Sequence, residues 1–165
     1  MVRVPDNISE DLPSKPPLPG SSRDQRPNLG ILLRDPYQEV VRRVSAGLAE
    51  AGFDDLRPAH TAVFQHIAAD GSRLTDLAER AQITKQSMGY LVDYLEQHGY
   101  VERRPDPSDR RATLICLTQR GWQQVQTALA IIATLEHEWT TRLGEDRMRE
   151  LRASLIELRQ VPQTT

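Results

Sequence analysis

Between Thr75 and Thr118 the chain reads TDLAERAQITKQSMGYLVDYLEQHGYVERRPDPSDRRATLICLT, and this stretch constrains the fold more than any other. Leu77, Ala78 and Ala81 lie on one face of a short helix, with Thr75 placed to cap it. Gln82-Ile83 makes a turn and Thr84 caps a second helix. In that helix Met88, Leu91, Val92 and Leu95 fall at i, i+3, i+4 and i+7, a stripe that must face a core. After Gly99 the pattern becomes strand, turn, strand: Tyr100 to Arg104, a Pro-rich turn from Pro105 to Arg111, and Ala112 to Leu117.

Two helices joined by a tight turn and followed by a hairpin with a charged tip form a winged helix-turn-helix. That shape places one helix in a DNA major groove and a loop beside it. With the apolar stripe turned inward, ~100° per residue sends Gln86, Tyr90, Asp93 and Gln97 outward. Recognition helices meet base edges through their first turns, so Thr84, Lys85, Gln86, Ser87 and Tyr90 are the expected contacts. Gln86 can pair with an adenine edge, and Lys85 and Ser87 can reach phosphates or bases. Tyr90 suits a phosphate or a thymine methyl. Gly89 has two open readings. It lets the helix backbone approach DNA, or it relieves crowding against the preceding helix.

Arg103, Arg104, Arg110 and Arg111 crowd the hairpin. Arginine suits a wing because a narrow, negative minor groove attracts it and its fork grips phosphate. Asp109 is expected to orient Arg111 through a charge-assisted hydrogen bond. From Thr84 to Ala112 five basic residues face five acidic ones, so the unit is locally neutral. Its attraction for DNA must come from where the arginines stand. A small number of phosphate contacts predicts a modest salt dependence, about −0.9 in the log–log slope per contact.

The 165 residues suffice for one domain with a core and an appended arm. The net charge of −2 argues mildly against nucleic acid and makes the local placement of charge decisive. Aromatics are only 5%, which leaves the core to aliphatic side chains. No apolar run approaches the ~20 residues of a membrane helix, and no secretory signal or membrane association is expected. A bacterial cytoplasmic location, nucleoid-associated when bound to DNA, is expected. The lone Cys116 sits in a strand pattern and reads as a small buried hydrophobe. No nucleophile elbow, P-loop, dinucleotide fingerprint or metalloprotease motif occurs, so the chain does not read as an enzyme, and no cofactor is expected. His60, His66, His98 and His137 lack metal-ligand spacing, so no metal is expected either.

Residues 1–27 hold six of the eleven prolines and few apolar residues, and read as a disordered arm. Residues 28–165 form the domain, with a DNA-binding lobe at 56–118 and dimerisation helices at 28–52 and 119–160. Asp35-Pro36 is a good cap for a helix bearing Tyr37, Val40, Val41, Val44 and Leu48. Leu29 to Leu33 also read as helix, leaving a short helix before Pro36 or one long helix bent there. Gly52 ends this element, and a second helix starts at Pro58. Thr118 caps a long helix striped by Trp122, Val125, Leu129, Ile132, Leu135 and Trp139 and closed by Gly144. A last helix carries Met148, Leu151, Leu155 and Leu158. So much apolar helix surface predicts a dimerisation layer, which suits a reader of paired half-sites. The fold class is mainly α with a small β-hairpin wing, a winged helix-turn-helix plus a helical dimerisation layer.

From about Leu29 to Leu158 the chain resembles the MarR family of bacterial transcription regulators. The most specific segment is GYVERRPDPSDRRATLICLTQRG, with the family's wing signature at Asp109, Arg111, Leu117 and Thr118. LAERAQITKQSMGYLVDYLE resembles its reading motif. The resemblance implies an obligate homodimer on a short pseudo-palindromic operator in double-stranded DNA, usually as a ligand-responsive repressor. It places Arg111 in the minor groove and Gln86, Ser87 and Tyr90 in the major groove. It also implies a small aromatic or lipophilic effector in a cleft lined by Tyr37, His60, Phe64 and His66. Tyr90 stands where many members carry arginine, Arg57 where many have Ser or Thr, and the arm is longer than usual. The alternative is a winged helix used for protein–protein contact without DNA. Clustered arginines beside a polar helix face argue against it.

Overall fold

A computed structural model describes residues 27–159, apart from the side chain of Arg110. The Pro-rich arm, except Pro27, lies outside the described residues. The chain divides into two compact units, Met1–Tyr37 and Gln38–Thr165.

The described part of the first unit contains the start of α1, which runs Leu29–Glu50 with Pro36 inside it. The helix begins before Pro36, so Asp35 is not its cap. Asn28 takes that role, its Oδ1 accepting from the Ile31 N–H at 3.0 Å. Asp35 pairs instead with Arg34 at 2.8 Å. Proline lacks an N–H and would leave one carbonyl of the preceding turn without a partner. The helix tolerates this because it is continuous and solvated on that side: Leu32, Leu33, Pro36 and Tyr37 are exposed.

In the second unit α1 ends at Gly52, whose φ of 87° lies in the left-handed region that glycine adopts freely. The expected helix at Pro58 is split. A 3-10 turn, Pro58–His60, leads into α2, Thr61–His66. Then come β1 (Ser72–Arg73), α3 (Leu74–Arg80), α4 (Lys85–Gln97), β2 (Val101–Asp106), β3 (Asp109–Leu117), α5 (Gln119–Leu143) and α6 (Glu145–Arg159). Helix α3 starts one residue before Thr75, so Thr75 is not its cap. The cap position is Arg73, with no side-chain hydrogen bond to the helix. The wing is also more than a hairpin. β1 joins it to give an antiparallel sheet of order β1-β3-β2, with Ser72 opposite Ile115 and Val101 opposite Leu117.

One core holds the second unit together. Leu77 and Ala78 of α3, Met88, Val92 and Leu95 of α4, and Val101, Ile115 and Leu117 of the sheet pack with Leu48, Phe53, Val63 and Tyr100. Burial of each of the larger aliphatic side chains stabilises by roughly 1.5–3 kcal/mol. The α4 stripe therefore faces inward as its spacing requires. Cys116 is buried and free, as a small hydrophobe would be.

Helix α5 is joined to the base of the sheet at its first turn. Thr118 Oγ1 accepts from the Gly121 N–H at 3.1 Å and donates to the Gly99 carbonyl at 2.6 Å. Tyr100 is fully buried and donates to Asp55 Oδ1 at 2.5 Å, while Arg120 donates to the Tyr100 hydroxyl at 2.9 Å. The Arg120 guanidinium also lies 4.6 Å from the Tyr100 ring centroid, a cation–π distance. Burial, then the bond to Asp55, pushes the Tyr100 hydroxyl up to about 12, which keeps it a neutral donor. Along α5 the expected stripe is only partly covered. Leu135 is buried, but Leu129 is 59% exposed and Trp122 39%. Helix α6 buries none of its residues.

Candidate nucleic-acid interface

The start of α4 is held by a reciprocal cap. Thr84 is extended, and its Oγ1 accepts from the Ser87 N–H at 3.1 Å while donating to Ser87 Oγ at 2.8 Å. The two hydroxyls are engaged with each other, so they shape the first turn. Lys85 and Gln86 project into solvent from that turn. Gln86 Nε2 donates to the Tyr90 hydroxyl at 3.3 Å, one helical turn along, and Tyr90 is 66% exposed. Gln86 and Tyr90 thus form one outward unit opposite the buried Met88, Val92 and Leu95. The Gln86 carbonyl oxygen and the Tyr90 proton stay available for a base edge or phosphate.

In the wing the four arginines have different circumstances. Arg103 bridges two acids of α4: it donates to Asp93 at 2.7 Å and also to Glu96. It is a brace at the wing's base and does not belong to a cluster at the tip. Arg104 pairs with Glu102 on its own strand at 2.5 Å and remains exposed. Arg111 is exposed near the turn. Asp109 does not orient its guanidinium; Asp109 Oδ1 accepts from the Arg111 backbone N–H at 3.0 Å. The carboxylate therefore sets the backbone of the turn. Among the described residues neither Lys85 nor Arg111 has a carboxylate partner, which leaves those two charges open to an anion.

Two residues in this region escape a reading of the sequence, Arg73 and Asp106. Asp106 is 5% exposed although it stands in a Pro-rich turn. It accepts from the Ser108 N–H at 2.8 Å, from Ser108 Oγ at 2.6 Å, and from Arg73 at 2.6 and 3.0 Å. The Ser108 hydroxyl, then Arg73, holds its carboxyl down at about 2. The Asp-Pro-Ser sequence is an Asx-turn pattern that could have marked the Ser108 contact. Nothing local marks Arg73, which is 33 positions away in sequence.

A model of the MarR family matches residues 54–112, which include α3, α4 and most of the wing. Transcriptional regulator HosA of Escherichia coli O111:H- is 32% identical over 95 residues, 56% of this chain and 70% of that protein. The chain belongs to the MarR family. Among solved structures, apo MarR of E. coli superposes with a TM-score of 0.63 at 25% identity, covering 81% of this chain and 98% of that one. CouR of Rhodococcus jostii RHA1, solved bound to p-coumaroyl-CoA, gives a TM-score of 0.64 at 26% identity, covering 84% and 95%. The protein is a DNA-binding transcriptional regulator and not an enzyme.

The MarR wing signature now has a physical meaning in this chain. Asp109 fixes the Arg111 backbone, Leu117 enters the core, and Thr118 caps α5 while tying it to the Gly99 carbonyl. Of the residues expected near an effector, His60 is the most enclosed. It is 5% exposed, its Nδ1 accepts from the Arg57 N–H at 3.0 Å, and its ring stacks on Tyr94 at 4.4 Å. Burial, then the neighbouring Arg57 charge, lowers its affinity for a proton. Phe64 meets the Tyr100 ring edge-on at 6.0 Å. His66 is half-buried, and Tyr37, in its own unit, is exposed. Nothing in the described residues pairs two of these four with each other by a hydrogen bond.

At Gly89 the crowding explanation fails. A Cβ there would meet Leu74 Cδ2 at 4.0 Å, an ordinary contact. Gly89→Ala is therefore expected to raise stability by about 1 kcal/mol through helix propensity alone. Thermal unfolding checks this, and a lowered midpoint would restore the crowding account. Weaker DNA binding by the same stabilised variant would identify close backbone approach to DNA as the reason for glycine.

Proposed function

We propose that this MarR-family regulator binds a pseudo-palindromic operator as a homodimer and acts as a ligand-responsive repressor. The observation that carries the reading is the shared exposure of Gln86, Tyr90 and Lys85 on α4 and Arg111 on the wing. A helix bearing a bidentate amide suits a major groove, and an arginine without a carboxylate partner suits the neighbouring minor groove. Thr84 and Ser87 serve by shaping the first turn, while Arg111 supplies the wing's charge. Residues 28–52 and 119–160 would form the dimerisation layer. Supporting this are the exposed Leu29, Leu32 and Leu33 in one unit, and Trp122, Leu129, Leu151, Leu155, Ile156 and Leu158 in the other. A second copy of the chain is the occupant that also supplies the second half-site reader. Ligand response rests on the family and on CouR, which was solved with an aromatic acyl thioester bound. A small aromatic or lipophilic effector is the corresponding class here.

Selection of bound sequences from a random duplex library, with light scattering on the free protein, tests the core of this reading. Enriched sequences should share inverted half-sites about one helical turn, ~10 bp, apart. A protein that is monomeric at micromolar concentration overturns the dimer, and a library without enrichment overturns sequence-specific binding. Released DNA on addition of an aromatic acid or its thioester would establish the response.

A further inference from the structure

We propose that Arg73 is a positioning residue for the wing, gripping Asp106 and Asp109 so that Arg111 is presented to DNA at a set distance from α4. This rests on the reading that Arg111 contacts DNA. The path of contacts is continuous. Arg73 sits in β1, paired opposite Leu114 of β3, at the point where the chain turns into α3. Its guanidinium lies 2.6 Å from Asp106 Oδ2 and 3.8 Å from Asp109 Oδ2. The other oxygen of Asp109 accepts from the Arg111 backbone N–H at 3.0 Å. One arginine thus connects the body of the lobe to the turn that carries Arg111.

The turn is built to receive that grip. The ladder between β2 and β3 shifts register between Pro105 and Asp106, so Asp106 pairs with Asp109 and its carboxylate is buried. A buried carboxylate needs compensating donors, and here Ser108 and Arg73 supply them. Its carboxyl is held at about 2, so the grip persists at neutral and mildly acidic pH and is lost only as the pH falls toward that value. Arg103 cannot replace it, because its partners Asp93 and Glu96 lie on α4 and it holds the strand at the wing's base. With Arg73 removed, the tip keeps its strand pairing, the Ser108 bonds to Asp106 and the bond from the Arg111 N–H to Asp109, but loses this side-chain tie to the body of the lobe.

The test is a double-mutant cycle of Arg73→Ala and Arg111→Ala in the full chain, read by DNA affinity, with amide hydrogen exchange on the free proteins. Arg73→Ala alone is expected to weaken binding roughly tenfold, and to have less than about a twofold effect in the Arg111→Ala background. In the free protein, exchange at residues 106–111 should accelerate while α4 amides stay protected. Arg73→Lys, which keeps the charge but loses the fork, should fall between the two and guards against a folding defect. Additive losses in the cycle, with the salt slope falling by about 0.9 for each arginine, would show Arg73 on a phosphate itself and overturn the proposal. Unchanged exchange at residues 106–111 would also overturn it. Wild-type affinity for Arg111→Ala would instead remove the reading of Arg111 as a DNA contact, while accelerated exchange in Arg73→Ala would still establish the grip.

Discussion

Gly121→Ala is expected to destabilise the protein by about 3 kcal/mol, the upper part of the range for overpacked sites. A Cβ at this position would stand 2.1 Å from the Tyr100 carbonyl oxygen and 3.0 Å from Leu117 Cδ2. The first of these is backbone and cannot swing aside. Moving it means moving Tyr100, which is fully buried and bonded to Asp55 and Arg120. The same carbonyl accepts from the Thr118 N–H at 3.0 Å, so the clash falls on the joint between the sheet and α5. Urea unfolding at fixed protein concentration measures the effect, since dimerisation would couple stability to concentration. A midpoint within experimental error of wild type would mean that α5 can lift off the sheet at little cost. The consequence reaches function, because α5 lies in the proposed dimerisation layer and Tyr100 belongs to the core of the reading lobe.

Arg111→Ala should weaken operator binding by about 1–3 kcal/mol, roughly five- to 150-fold. It should leave stability nearly unchanged, since the side chain is exposed and the bond that orders the turn comes from its backbone N–H. The salt slope should fall by about one. Arg103→Ala makes a useful contrast. Its guanidinium is engaged by Asp93 and Glu96, so its loss should affect wing orientation and stability more than the slope. Gel-shift titration across several salt concentrations separates the two. Equal slopes for wild type and Arg111→Ala would count against a groove or phosphate contact by this residue.

Much of the reading lobe was legible in the sequence because its determinants are local. The stripe Met88, Val92 and Leu95 is a matter of spacing, and it fixes which side of α4 carries Gln86 and Tyr90. Thr84 and Thr118 cap their helices through residues three positions on, and Gly52 and Gly144 close helices at positive φ. The errors have the same logic. Asp35 and Thr75 are competent caps by composition, but Asn28 and Arg73 occupy the positions where the helices begin. Which of two nearby starts prevails depends on packing as well as on the cap.

A winged helix-turn-helix, the outward residues of α4, an arginine-bearing wing and an excess of apolar helix surface can thus all be read from residue order alone. Which wing arginines lack a carboxylate partner depends on the folded packing. Four look alike in the string, yet Arg103 is consumed by acids seven and ten positions earlier, Arg104 by its own strand, and Arg111 is without a carboxylate partner among the described residues. Arg73, on β1 and outside the hairpin, holds the tip across 33 positions. A hydrogen-bond pattern along a helix is set by neighbours in sequence, whereas a guanidinium's partner is set by whichever carboxylate the packing of distant elements brings within about 3 Å.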